Sequence, residues 1–364
     1  MSQWYRVTLR PLQSLLLGGY HTHGRVDVDP IRSPVYFSKS LMLPQQTTVW
    51  GMFRKYLLDV YGLLKTDWNY SSEDRKRHQT LIGTHFGNVF DDKEYDGGII
   101  LQMSPVFIAK GEEDLKPCPL DKKVSKDGKI FEHQYEKYIG AFDQPYYCLK
   151  RYRAKEGLSA HQVWIDGKRQ AVRAEDIFRW ETSVGIHKRL QLETPNNMEN
   201  HAFYKQKRIL LNDDFSYAFY IQLKDNIHQN EMRSIIELGA DQRKCELHIK
   251  KCDTPLTWLS PQTQIEDEYW RIVLLSDTYL PASEIEQLSD FRVVQTVQFG
   301  TLQSSNRKSR RAEIQYELLS RGSVLLASKE KGLKVIEAIQ RYKKARKLGF
   351  NQFEITKWNI EIKG

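Results

Sequence analysis

The chain has 364 residues, 40% of them hydrophobic, which is enough for one large or two ordinary folded domains and excludes a disordered tail. Lysine and arginine outnumber aspartate and glutamate by 55 to 46. The resulting net charge of +9 favours a polyanionic partner, although a basic protein kept soluble by its charge would show the same balance.

Cysteine usage and hydropathy exclude several other classes. The four cysteines form no CxxC pair, which argues against a zinc knuckle or a disulfide scaffold and favours a reduced cytoplasm. No apolar run approaches the roughly 18 residues of a membrane span, and the amino terminus does not read as an export signal. We therefore expect a cytoplasmic protein with no membrane partner.

The amino-terminal third predicts a strand, a loop and a helix. Residues 4–10 alternate as an edge or half-buried strand, and Gly18-Gly19 then leads into a long loop. Thr47 or Thr48 is placed to cap the helix, and Gly62 is placed to end it in a left-handed turn. The apolar positions of this helix recur at helical spacing: Val49, Met52, Phe53, Tyr56, Leu57, Val60 and Tyr61.

Further along, a polar region at 67–95 precedes a predicted strand at 99–109. Residues 121–137 are rich in lysines and acids and indicate an inserted hairpin or mobile arm outside the core. Strand-like segments follow between 179 and 223, then a predicted helix at 226–238, stopped by Gly239, and a strand ending near 249. This is the β-α-β-β-α-β order of a ferredoxin-like domain.

After the turn at 254–255 the pattern predicts a second, irregular α+β domain. Strands are expected at 270–275, 291–297, 311–319 and 323–327, with a short helix near Pro281. A last helix at 331–348 is expected to stop at Gly349.

Seven segments in this order resemble the CRISPR-associated RAMP superfamily, and within it the Cmr-type, Cas-five-like subunit of type III effector complexes. None is a catalytic signature, so the resemblance depends on their order along most of the chain. They are PQQTTVWGMFRKYL, LQMSPVFIAKGEEDLKPCPLD, RWETSVGI, AFYKQKRILL, LGADQRKCEL, RIVLLSDTYLP, and RGSVLLA with its following helix and Gly349-Phe350.

The resemblance implies an α+β fold of two ferredoxin-like (RRM-type) domains with insertions, at 1–252 and 253–364, the second irregular. It implies no catalytic centre, no cofactor and no metal. The subunit would bind the 5′ tag of the guide RNA (crRNA) and dock the polymerase-like large subunit. Backbone RAMP subunits would be further partners, and target RNA an indirect one.

Basic and aromatic residues at predicted strand ends are the most direct RNA candidates. Cations there can neutralise phosphates while Tyr204 or Phe203 stacks a base, a contact worth ~1–3 kcal/mol. In the alternative interpretation Phe203 faces the core and the cations are only solvated. The candidates are His187, Lys188, Arg189, Tyr204, Lys205, Lys207 and Arg208.

The loop after the first strand offers a second set of candidates. Metal-independent RAMP endonucleases use a histidine, often with a tyrosine, to move protons during attack of the 2′-hydroxyl on phosphate. In the simpler interpretation the loop histidines donate hydrogen bonds to RNA or to a neighbouring subunit. A His-x-His metal site lacks further ligands nearby. The candidate RNA-binding residues here are Gly18, Gly19, His21, His23 and Arg25.

Two further basic regions complete the candidates. The predicted helix opens at Gln46, Thr47 and Thr48, where free N–H groups attract anions, and Arg54 and Lys55 lie opposite its apolar stripe. Ordinary capping and solvated charge explain the same residues, and only the resemblance favours RNA. The densest positive run is expected to grip RNA, meet an acidic subunit or form a solvated tip: Arg307, Lys308, Arg310 and Arg311.

The sequence therefore predicts a non-catalytic, RNA-binding subunit of a type III CRISPR complex. One alternative is a metal-independent RAMP endoribonuclease that processes precursor guide RNA through His21 or His23. The other is a protein-only scaffold whose basic patches meet acidic subunits.

Overall fold

A computed structural model describes residues 2–18, 20–24, 35–65, 69–84, 87–91, 93–139, 145–150, 152, 155, 157–187, 202–224, 231–239, 242–260, 266–305, 308–358 and 360–362. The helices are α1 (Gln46–Val60), α2 (Ser72–Ile82), α3 (Ala174–Ile177), α4 (Ala282–Leu288), α5 (Lys329–Gln340) and α6 (Lys343–Lys347). The strands are β1 (Gln3–Pro11), β2 (Tyr20–Gly24), β3 (Val35–Lys39), β4 (Ile100–Met103), β5 (Phe107–Lys110), β6 (Glu113–Pro117), β7 (Lys122–Val124), β8 (Ile130–Glu132), β9 (Tyr135–Ile139), β10 (Pro145–Leu149), β11 (Val163–Ile165), β12 (Ala171–Arg173), β13 (Phe178–His187), β14 (Ala202–Leu211), β15 (Phe215–Leu223), β16 (Glu231–Leu238), β17 (Arg243–Cys252), β18 (Tyr269–Leu274), β19 (Phe291–Val293), β20 (Thr296–Ser305), β21 (Lys308–Leu319), β22 (Val324–Ser328), β23 (Phe353–Lys357) and β24 (Ile360–Ile362).

A nine-stranded sheet forms the centre of the molecule, in the order β12-β11-β6-β5-β15-β1-β17-β16, with β4 also beside β15. The described strand pairings within it are all antiparallel. The first strand is confirmed, but its prediction as an edge or half-buried strand is wrong. Strand β1 lies between β15 and β17, and Trp4 and Tyr5, on opposite faces, are both buried. The mixed, mostly antiparallel architecture confirms the α+β class.

The predicted helix at 226–238 is wrong: its described part is strand β16, which pairs with β17 from Glu231 to Leu238. Met232 and Ile236 pack on the core with a spacing of four, which a helix would also give. Ser234, between them, is also half-buried, so burial alternates every second residue, as in a strand. The second helix of the predicted ferredoxin-like order is therefore absent from the described part of this segment.

Helix α1 confirms the clearest prediction. Val49, Phe53 and Leu57 are completely buried, and the Phe53 ring meets Phe219 of β15 edge to face at 6.1 Å. Gly62 has φ +65°, as expected for a left-handed end. The predicted threonine cap is wrong, because the N-cap is Gln45, which makes no side-chain capping bond.

Other elements differ locally from the sequence predictions. The loop predicted at 18–34 contains strand β2, strand β3 follows it, and residues 25–34 lie outside the described ranges. The strand at 99–109 divides into β4 and β5 around Pro105, which has no N–H for a ladder. The strand at 291–297 also divides, into β19 and the start of β20. Helix α2 was not predicted, although Ser71 and Asp74 form a capping box.

The carboxyl-terminal part contains a four-stranded sheet in the order β19-β22-β18-β23, against which α5 packs. The predicted helix at 331–348 divides into α5 and α6 near Tyr342, and Gly349 with φ +87° ends it as expected. Residues 121–137 do include the hairpin of β7 and β8, but the prediction that they lie outside the core is wrong. Asp121 and Tyr135 are buried.

Contacts link residues on both sides of position 252. The Arg271 guanidinium donates two hydrogen bonds of 2.6 Å to Asp121, and Arg321 Nη1 donates to the Val106 carbonyl at 2.6 Å. Phe350 packs in the core that α1 and β1 share. The division at 1–252 and 253–364 stays a prediction. In the described part of the chain, no helix has both the length and the apolar character to cross a membrane.

Candidate nucleic-acid interface

A four-stranded sheet in the order β13-β14-β3-β2 gathers seven of the predicted RNA-binding positions: His21, His23, His187, Tyr204, Lys205, Lys207 and Arg208. Strands β3 and β14 run parallel, so the chain between them crosses over through the nine-stranded sheet. The sheet is tied to the core at buried Ile209, which exchanges backbone hydrogen bonds of 2.8 and 2.9 Å with Leu15. These two hydrogen bonds attach β14 to the segment that follows β1.

The central feature of this sheet is Trp180 of β13, flanked by two lysines. The Nζ atoms of Lys39 and Lys207 lie 5.1 and 5.2 Å from the centre of the Trp180 ring. These lysines are direct neighbours in the parallel pairing of β3 with β14. The negative face of the indole attracts both ammonium groups and offsets part of their mutual repulsion. Two adjacent cations are thereby held in one place.

The positive charge of this lysine pair is not compensated by any acidic side chain among the described residues. In the described part of the chain, no carboxylate lies within ion-pair distance of Lys39, Lys207 or the exposed Lys205. Arg208 donates a 2.7 Å hydrogen bond to Gln206. Arg208 keeps its full positive charge, because Gln206 is a neutral amide, and Glu181 is the acidic residue opposite it in the register. An anion of roughly phosphate size is the group that this arrangement can accept.

The structure also places the predicted histidines in this sheet. In β2, His21 pairs with Ser38 and His23 with Tyr36, so both belong to a strand and not to a loop. His187 pairs with Ala202 at the far end of β13, and Tyr204 pairs with both Gly185 and Tyr36. Gly18 is exposed just before β2. Five predicted positions lie outside the described residues: Gly19, Arg25, Lys188, Arg189 and Arg307.

Gln46 is a structural residue inside the protein. Only 2% of it is exposed, and its amide nitrogen donates to the Leu348 and Ser104 carbonyls at 2.8 and 3.1 Å. Its amide oxygen accepts from the Val106 N–H at 2.6 Å. The side chain joins α1, the β4–β5 connection and the end of α6. It therefore has no free group for RNA, and its prediction as a contact residue is wrong.

The other predicted residues of α1 lie away from the four-stranded sheet. Thr47 and Thr48 are half-buried in the first turn. Arg54 donates to the Gly83 carbonyl at 3.3 Å and the Thr84 carbonyl at 3.2 Å, and burial lowers the pKa of its guanidinium. Lys55 forms an ion pair of 2.9 Å with Glu237 of β16. Arg54 and Lys55 therefore already have partners within the chain.

The basic run near 308 belongs to a separate two-stranded ribbon of β20 and β21. Its base is fixed by Phe299 and Tyr316, whose rings contact Phe90 at 5.5 and 5.0 Å. At the other end Lys308 pairs with Ser305, about 20 Å from this base at the usual rise per residue. Arg310 and Arg311 follow on β21, and Arg307 lies outside the described residues.

Sequence reasoning missed Lys39 and Trp180. Lys39 ends the short segment VYFSK, and Trp180 was visible only as part of a predicted strand. Their proximity depends on the parallel pairing of two strands more than 160 residues apart, which no local pattern indicates. Within the described ranges, no three His, Cys, Asp or Glu side chains come together in a way that could hold a metal ion.

Comparison with known families gives one clear match. Residues 32–358 match the family described as CRISPR-associated protein (Cas_Cmr3), which covers most of the chain, including Lys39, Trp180 and Lys207. Strands β1 and β2 lie before the matched region. A search of curated proteins found no match.

Proposed function

Since the chain belongs to the Cas_Cmr3 family of CRISPR-associated proteins, and is thus a subunit of a type III Cmr complex, we propose that it binds the 5′ tag of the guide RNA without cleaving it. The observation that carries this proposal is the pair Lys39 and Lys207, held against Trp180 without a nearby carboxylate in the described residues.

The mechanism is positioning. Cations fixed on a sheet neutralise phosphates and release counterions, which gives affinity but no sequence preference. Lys205, exposed two residues before Lys207, extends the same row of cations toward the start of β14. Bases of the tag would be read by aromatic or hydrogen-bonding groups beside this row. The ribbon of β20 and β21 supplies a second basic arm at Lys308, Arg310 and Arg311.

We also infer that both parts of the chain are ferredoxin-like, RRM-type domains. What supports this for residues 1–252 is the antiparallel order in which β1 lies between β15 and β17, with β4 and β5 beyond β15. The polymerase-like large subunit, the backbone RAMP subunits and, indirectly, the target RNA are the further proposed partners, in the cytoplasm.

Fluorescence anisotropy with a labelled RNA carrying the tag tests the proposal. We expect a variant with Lys205, Lys207 and Arg208 all changed to Gln to bind at least tenfold more weakly than the wild type. Lys334→Gln is the matched control, because Lys334 is an exposed lysine of α5 already paired with Glu330 at 3.0 Å. Equal binding by the triple variant and the wild type would overturn the proposal in favour of a protein-only scaffold.

The same samples test the catalytic alternative. His21 and His23 lie on β2 of the sheet, so a ribonuclease acting through them would use the same RNA path. We expect repeat-containing RNA to stay intact in EDTA on a denaturing gel. Cleavage that disappears in His21→Ala or His23→Ala would establish the endoribonuclease instead.

A further inference from the structure

Strand β16 is the last strand of the nine-stranded sheet as far as the structure describes the chain. Its pairing with β17 runs without a bulge from Glu231 to Leu238, and no described strand pairs with its other side. The segment contains no proline, and Ile235 is 57% exposed. Such an edge presents a row of backbone N–H and C=O groups that another strand can bind.

A groove runs beside this edge, with helix α1 as its opposite wall. Its volume is about 400 Å³. Met52, Tyr56 and Asp59 line it from one stripe of α1, while Ile235 and Ile236 line it from β16. The Tyr56 hydroxyl approaches Met232 Sδ at 3.9 Å, so the helix and the strand are in contact at the floor. Apolar side chains thus lie next to the backbone groups of this edge.

The charges around the groove balance. Lys55 and Glu237 form an ion pair of 2.9 Å, and Asp59 and Lys244 add one charge of each sign. A polyanion gains nothing from this neutral surface, in contrast to the sheet at Lys39 and Lys207. The Lys55–Glu237 pair is substantially exposed and so contributes little stability, which makes its displacement inexpensive.

We propose that the edge of β16 and the groove beside α1 bind an extended, uncharged segment of another Cmr subunit. The segment adds as a further strand to β16 and places an apolar side chain in the groove near Ile235 and Tyr56. Backbone hydrogen bonds give such a complex its affinity, and the side-chain groove gives it selectivity. This interface depends on the family membership and not on the proposed RNA binding.

Hydrogen exchange on the full chain tests the interface without any substitution. The exchange of peptides covering 231–238 is compared between the isolated chain and the complex reassembled with the remaining Cmr subunits. We expect exchange in this segment to slow at least tenfold on assembly. Unchanged exchange would overturn the proposal. So would an isolated chain that is already dimeric with these amides protected, because the occupant is then a second copy.

A single substitution at Ile235 tests whether the partner segment binds at this edge of β16. Ile235→Lys puts a charge on the edge, and Leu256→Lys is the control, since Leu256 is 77% exposed on a short 3-10 turn elsewhere. We expect Ile235→Lys to weaken association with the remaining subunits at least tenfold, while its melting temperature and its affinity for tag RNA stay unchanged. Equal association of the two variants would refute the interface. If Ile235→Lys misfolds, the exchange experiment decides.

Discussion

Lys39 and Lys207 face each other across the parallel pairing of β3 and β14, and both ammonium groups approach the ring of Trp180 to about 5 Å. Adjacent like charges on a sheet destabilise it when nothing neutralises them. A pair of this kind at a surface therefore favours a ligand that supplies the missing negative charge. In the function proposed above, a phosphate of the guide RNA is this ligand.

Replacing Trp180 separates two contributions to RNA binding: the positioning of the two lysines by the ring, and their charge. Trp180→Leu removes the cation–π contacts but leaves every cation in place. We expect tag RNA to bind about fivefold more weakly, since less ordered ammonium groups lose more entropy on binding. The slope of log K against log salt should stay that of the wild type, because the number of phosphates neutralised is unchanged. Anisotropy at four salt concentrations measures both quantities.

Gly349 is predicted to be essential for stability. Its φ is +87°, and a Cβ there would overlap the Gln46 amide nitrogen and the Ser104 carbonyl oxygen. Gly349→Ala should lower the free energy of unfolding by about 2–5 kcal/mol, from backbone strain and overpacking together. Gly62→Ala is the control, with φ +65° and no atom within 4 Å of the added carbon. It should cost only about 1–2 kcal/mol, and equal losses in urea unfolding would contradict this account.

Replacing Gln46 should lower stability and leave RNA binding unchanged, which is the opposite of the effect expected at an RNA-contacting residue. Gln46→Ala leaves the Ser104 and Leu348 carbonyls and the Val106 N–H without this partner, which should cost about 1–3 kcal/mol of unfolding free energy. The folded protein should bind tag RNA as the wild type does. Urea unfolding and anisotropy on the same preparation check both. Full stability combined with weaker RNA binding would show that Gln46 does reach the RNA.

The buried pair of Asp121 and Arg271 should make stability depend on acid pH. Burial opposes ionisation of Asp121, but the hydrogen bonds and charge of Arg271 outweigh it and hold the pKa of Asp121 below its ordinary value. The unfolded chain then binds the proton more readily. This contribution is therefore complete above about pH 4 and is lost as pH falls toward the lower pKa of the folded state.

Removing the carboxylate tests this linkage. Asp121→Asn leaves the Arg271 charge buried and should cost about 3–5 kcal/mol at pH 7, with a smaller loss of stability between pH 4 and pH 3 than in the wild type. Glu330→Gln, which breaks the exposed pair with Lys334, should change stability by less than about 1 kcal/mol. Urea unfolding across this pH range measures both, and parallel pH curves for wild type and Asp121→Asn would rule the linkage out.

Much of the element order was predictable because local patterns determine it. The helical spacing from Val49 to Leu57 and the alternation in β15 and β17 each identify an element without tertiary information. The sequence pattern of residues 231–238 does not distinguish a helix from a strand, since the spacing of Met232 and Ile236 is compatible with both. Pairing with β17 selected the strand, and that choice depends on residues outside the segment.

The site was predictable in composition but not in arrangement. The basic residues of β14 and the histidines of β2 were identified as candidates, and one sheet brings their strands together. Lys39 and Trp180 were missed because their contact requires the parallel pairing of β3 with β14. Gln46 was misassigned because its position at a helix start suggested anion binding. Only the fold shows that Leu348, from the far end of the chain, occupies that helix end.

The salt dependence of tag RNA binding tests the central claim most directly. The double variant Lys39→Gln, Lys207→Gln is compared with the wild type and with a control, Lys334→Gln, Lys343→Gln, which removes two surface lysines from α5 and α6. Each phosphate contact on a single strand contributes about 0.7 to the slope of log K against log salt. We predict that the test variant loses about 1.4 of that slope and the control loses none. A test variant whose slope equals that of the wild type would contradict an RNA site at Lys39 and Lys207.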